Sequence, residues 1–288
     1  MAGIALAPSS LVLAIAVLVA GSSTGFASPP MAAAVAAAVG TGRQDLTNTA
    51  INAGVSAGVA LSGPIALAVT GHWRLAFGAF AALALALAVA AAIALPAASG
   101  SARAGGLPRM TGMVLRLMSA SVLTGAASTG LWSFGGQLVT EQMGWGPTGT
   151  GLLWTCIGIG GLVGALAGAL VGRFGLDPVH RAFLGLMAAS ILSVGIGLGP
   201  IPALTGGAIF GAAYVMLTGV YLIWGVRALP DRPASGLMVG FLSIAVGQTV
   251  GAPLFGALLA GPGAVSAVVC FAGLALLAGV FRARSAVA

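Results

Sequence analysis

The sequence predicts an all-α integral membrane protein of about nine transmembrane helices, and three observations predict it. Hydrophobic residues make up 59% of the 288 and charged residues only 5%, with a mean hydropathy of +1.12. A soluble chain carries roughly 25% charged residues because its surface faces water, so most of this surface must face lipid. The second observation is that the few charges fall in clusters separated by long uncharged apolar runs. The third is the 47 glycines. With Ala and Ser they let helix backbones approach closely, which is how helices pack where lipid removes the hydrophobic drive between them; they read as packing residues, not as loops.

Runs of about 18 or more apolar residues mark the elements in order. Spans are expected at 11–39, 47–70 and 75–95. The stretch that follows, opened by Pro96, is rich in Ala, Ser and Gly and carries Arg103 and Arg109, so it reads as an exposed connection. Six more spans are expected at 113–138, 149–171, 182–199, 201–226, 236–260 and 264–281. The chain therefore divides into three helices at 1–96, an exposed linker at 97–112 and six helices at 113–288.

Alternating spans divide the connections into two faces, and the arginines choose between them. One face holds Arg43, Arg103, Arg109, Arg116, Arg173, Arg181, Arg227, Arg232, Arg282 and Arg284, and the other only Arg74. Short cytoplasmic loops carry the positive charge, so the C-terminus is expected in the cytoplasm and residue 1 outside, in a multi-pass protein of the plasma membrane. Missing or adding one span would scatter these arginines over both faces. The net charge of +7 is thus explained by topology, and with no basic patch, no nucleic-acid partner is expected. A secretory signal over residues 11–28 would need a basic start, which is absent. Residues 1–10 read instead as the tail of another membrane helix and its outside loop, so further spans are expected ahead of Met1.

Polar chemistry inside the spans is sparse. Asp45, Glu141, Asp177 and Asp231 are all expected at or in loops, as are His72 and His180, which leaves no intramembrane carboxylate to carry a proton. Cys156 and Cys270 lie in apolar spans without metal-ligand spacing or charged neighbours, and read as small buried hydrophobes with no redox or zinc role. No catalytic triad, paired carboxylate or metalloprotease motif is present, so no enzymatic activity, metal or cofactor is expected. Asn48, Asn52 and Ser56 repeat every four residues and form one polar stripe on a helix, with Gly54 and Gly58 on another face; one face would line a cavity and the other pack. In the second half Gln248 and Thr249 hold a similar place, and Trp132, Gln137, Trp154, Tyr214, Tyr221 and Trp224 offer hydrogen bonds and aromatic faces to a polar or amphipathic solute. Interhelical hydrogen bonding, or an aromatic belt at the membrane interface, is the alternative for each.

Several segments carry a family resemblance. Gly21-Ser22-Ser23-Thr24-Gly25-Phe26-Ala27-Ser28-Pro29-Pro30 with the apolar run after it, Gly54, Gly58 and Gly63-Pro64, and Gly71-His72-Trp73-Arg74 resemble the fourth, fifth and start of the sixth helices of the major facilitator superfamily (MFS) of secondary transporters. Gly144-Trp145-Gly146-Pro147-Thr148-Gly149-Thr150-Gly151 resembles the connection from its seventh helix to its eighth, and Gly168-Ala169-Leu170-Val171-Gly172-Arg173-Phe174-Gly175 the motif after the eighth. The resemblance implies an MFS-type fold lacking its first three of twelve helices, and it implies transport of a small organic solute by alternating access, with protons as coupling ion and efflux as direction. The conformational and packing residues it implies are Gly54, Gly58, Gly63, Pro64, Gly168, Arg173 and Gly175. Two departures stand out: Gly172 replaces the family's acidic residue before the arginine, and Gly63-Pro64 is followed by Ile65, Ala66, Leu67 and Ala68 where the antiporter motif ends in paired glycines.

An internal echo accompanies the resemblance. Gly54, Gly58 and Gly63-Pro64 return approximately as Gly247, Gly251, Pro253 and Gly256, as related transporter halves would have it, with the substrate site between the halves near the mid-membrane. The alternative function, from a different class, is a non-transporting remnant or an assembly partner for another membrane protein.

Overall fold

Glycine, proline and one threonine hydroxyl set many of the helix boundaries. The computed structural model describes residues 1–21, 39–69, 71–94 and 110–283, with backbone alone at 41–46, 48–50, 52 and 233–234. Every regular element among them is helical: α1 (Ala2–Ala5), α2 (from Ser10 to Gly21), α3 (Thr41–Ala68), α4 (Trp73–Ala94), α5 (Gly112–Trp132), α6 (Gly135–Met143), α7 (Pro147–Gly161), a 3₁₀ turn (Leu162–Leu166), α8 (Ala167–Phe174), α9 (Leu176–Gly195), α10 (Pro200–Ala228), α11 (Pro233–Ala260) and α12 (Ala264–Ala278). Thr111 caps α5, its hydroxyl accepting from the Val114 N–H at 3.3 Å. Pro147, Pro200 and Pro233 open α7, α10 and α11, where a missing N–H costs nothing. Gly144, left-handed at φ 67°, ends α6 by donating to the Thr140 carbonyl.

Six helices among the described residues are long and apolar enough to cross a membrane, including the continuous stretch Pro147–Phe174, and three shorter apolar helices accompany them. Each expected span overlaps one of these nine. Of the first span only the part to Gly21 is described, and most of the linker, with the motif from Ser22 to Pro30, lies outside the described residues. Four boundaries differ from expectation. The second span begins at Thr41, so Arg43 and Asp45, expected at or in a loop, fall in the first turns of α3. The fourth span breaks at Ser133 and Phe134 into α5 and α6, so Glu141, expected in a loop, is an exposed helical residue. The fifth tightens into the 3₁₀ turn, beside which Gly161 and Gly164 press against Val215. The sixth begins at Leu176, which places Asp177 and His180 on α9.

The described chain divides into two compact units: residues 1–48 with 65–107, and 49–64 with 108–288. In the first, α1 packs on α4, and the Arg74 guanidinium donates to the Ala7 carbonyl at 2.9 Å while lying over the Trp73 ring. In the second, α10 is central, packed by α7, α9 and α11, while α5 packs along α11 and α12. Its fully buried large side chains include Trp224, Tyr221, Phe210, Phe255 and Phe271.

Small residues carry the helix contacts in this second unit. A β-carbon at Gly247 would collide with the Val122 carbonyl of α5, and one at Gly251 would stand 2.8 Å from Ala126 Cα. Away from these contacts α11 presents Met238, Leu242, Val246, Val250 and Leu254, all exposed. Glycine inward and leucine or valine outward is the reverse of a soluble helix and the arrangement that lipid favours. The chain is accordingly an all-helical membrane protein.

Candidate functional site

The polar side chains of the second unit form two groups. The first lies near the midpoints of α10 and α11. Gln248 Nε2 donates to Tyr214 Oη at 3.1 Å and to Ser128 Oγ at 3.3 Å, joining α11, α10 and α5. Tyr214 meets Trp132 edge-on with centroids 5.1 Å apart and stacks on Phe210 at 6.1 Å. Trp132 in turn lies 5.3 Å from Trp154 of α7 and 5.6 Å from Phe210. Gln248, Tyr214, Trp132 and Trp154 are half-buried, and the Trp132 indole N–H is enclosed without an acceptor among the described residues. An unmet donor beside aromatic faces and an amide can take a hydrogen-bond acceptor carried on an apolar body.

These helices meet here because glycine permits it. Gly211, one helical step from Phe210, abuts the Ile157 carbonyl of α7, and Gly160 abuts the Ala208 carbonyl of α10. Any larger residue would push α7, and Trp154 with it, away from Tyr214.

The second group lies on the same helix two turns away, about 10 Å at 1.5 Å per residue. Tyr221 Oη pairs with Thr124 Oγ1 of α5, lies 2.9 Å from His180 Nε2 of α9, and donates to the Ala120 carbonyl at 3.3 Å. His180 and Trp224 meet edge-on at 5.7 Å. All of these side chains are fully buried, and His180 Nδ1 and Trp224 Nε1 find no partner among the described residues.

The remaining expected site residues are placed apart from the Gln248 group. Gln137 is exposed on α6 and donates to Glu141 at 2.7 Å. Thr249 is exposed and bonds its own backbone at Ala245. The side chains of Asn48 and Asn52 lie outside the described residues. Ser56 is buried, but against Gly161 of α7. That reverses the expected roles of the two faces of α3: Ser56, Ala60 and Gly63 meet α7, whereas Gly54 and Gly58 have open space around them among the described residues. The polar Ser56 hydroxyl is small enough to sit against glycine, which is why it serves the packed face. Pro64 lies exposed within α3, and Gly168 also faces open space. Arg173 is exposed in the last turn of α8, over the Phe174 ring at 5.3 Å, and Gly175, at φ 86°, turns the chain into α9.

Two other expectations are corrected. His180 is not a loop residue: it sits on α9 at the spacing of Leu176, Leu184, Met187 and Ile191, all buried, and that stripe was the readable signal for it. The cysteines are not both buried: Cys270 is exposed on α12 and Cys156 half-buried, both free thiols. Ser128 and Phe210 were not singled out in the sequence; the run Ser121, Thr124 and Ser128 on one side of α5 is the signal that marks the former.

No family model, curated protein or solved structure matches the chain.

Proposed function

We propose that this protein is a secondary transporter of small organic solutes, built on an MFS-type plan of about nine crossing helices in the plasma membrane. Its C-terminus faces the cytoplasm and its direction is export. The observation that carries the reading is the uncharged group formed by Gln248 and Tyr214, near the midpoints of two long apolar helices, with Ser128, Trp132 and Trp154 around them. Polar side chains at that depth are expensive and mark substrate or ion paths, and transporter sites lie near the mid-membrane. Aromatic faces suit the body of an amphipathic solute, while the Trp132 N–H and the Gln248 amide suit its polar end. Proton coupling enters from the family resemblance alone. Uptake into vesicles, with and without an uncoupler, tests the coupling, and an uptake indifferent to the gradient sinks it.

A second reading, an assembly partner that does not itself transport, is favoured by one face of α3. There Ile51, Gly54, Val55, Gly58 and Leu61 are all exposed at helical spacing, a smooth surface suited to another helix. A purified monomer that moves solute alone would remove this reading.

A further inference from the structure

A cavity of about 460 Å³ lies where the start of α9 meets the end of α12, lined by Arg181, Leu184, Leu276, Gly279, Val280 and Arg282. Arg181 is fixed there by its Nε–H, which donates to the Gly279 carbonyl at 3.1 Å. That bond leaves the two terminal nitrogens of the guanidinium for another ligand. Arg282 is exposed and makes no hydrogen bond or ion pair among the described residues. One carboxylate is near, Asp177, held by the Ala283 N–H at 2.8 Å. Beside the arginines, Leu276, Leu277 and Val280 are each at least half exposed. Two guanidinium groups next to an outward apolar wall match a molecule with an anionic phosphodiester head and hydrocarbon tails, because arginine binds phosphate through paired N–H donors and basic pockets between membrane helices bind acidic headgroups.

We propose that this cavity is a binding site for an anionic phospholipid, its phosphate held by Arg181 and Arg282 and its acyl chains lying along Leu276 and Val280. The site needs only that the chain sits in a bilayer, and is independent of what the chain transports.

The test uses the purified full-length chain in neutral detergent, titrated with phosphatidylglycerol, phosphatidylcholine or inorganic phosphate while its melting temperature is followed. Phosphatidylglycerol should raise the melting temperature saturably, and the other two should not. R282Q should weaken the phosphatidylglycerol response about fivefold, the worth of one basic side chain near an anionic headgroup. R282K should lose less than R282Q, and R227Q, at an exposed arginine outside the cavity, should keep the full affinity. A photoactivatable phosphatidylglycerol should crosslink the unmodified chain within residues 276–282, a readout that needs no variant to fold. Equal responses to phosphatidylcholine and phosphatidylglycerol, the whole effect reproduced by inorganic phosphate, or equal losses from R227Q and R282Q would overturn the proposal, as would crosslinks that avoid residues 276–282.

Discussion

Tyr221 and Gln248 make similar hydrogen bonds to different ends, and substitution separates them. Tyr221→Phe removes one hydroxyl that serves Ala120, Thr124 and His180 in a fully buried place. Its loss strands those groups and should cost about 1–2 kcal/mol of stability, read as a lower melting temperature in detergent; an unchanged melt would say that the network holds nothing together. Gln248→Ala removes an amide that is only half-buried, so it should lower transport more than stability, and unchanged transport removes Gln248 from the site. Trp132, Trp154, Tyr214 and Gln248 were legible as candidates because polar and aromatic side chains are rare in such apolar runs. Their assembly with Ser128 and Phe210 was not, since it depends on how α5, α7, α10 and α11 cross. His180 was misplaced for a related reason: a charge-capable residue between Asp177 and Arg181 looks like a loop until the apolar stripe beneath it is followed.

Helix contacts in this protein rest on which glycines meet a neighbour, and composition alone does not reveal it. Gly211 and Gly54 are equivalent by residue type, yet a β-carbon at Gly211 collides with the Ile157 carbonyl whereas one at Gly54 meets nothing among the described residues. Gly211→Val should therefore force α7 and α10 apart, costing about 3 kcal/mol or more, and should abolish a monodisperse peak in size-exclusion chromatography. Gly54→Val should leave that peak intact; equal damage from both would contradict the packing described. Apolar runs located the helices well because each must match the bilayer thickness. The break at Phe134 and the 3₁₀ turn at Leu162–Leu166 escaped notice because both fall inside apolar sequence, where tertiary packing and not hydropathy decides the local winding.

Across the whole chain, the proposed orientation rests on arginine placement, and accessibility can test it. In a background with Cys156 and Cys270 replaced by Ser, Gln142→Cys should react with a membrane-impermeant maleimide on intact cells. Asp231→Cys should react only after permeabilisation. Labelling of both from one side would break the alternation of spans on which the nine-helix plan rests. The central claim is that these helices carry a small solute past the group around Gln248 and Tyr214, and the most direct measurement is time-resolved uptake of a panel of labelled amphipathic solutes into liposomes holding the purified chain. The account predicts that at least one solute enters faster than into protein-free liposomes, and that Gln248→Ala slows it several-fold while the protein stays folded. Uptake no faster than into empty liposomes for every solute, or a rate indifferent to Gln248, would contradict it.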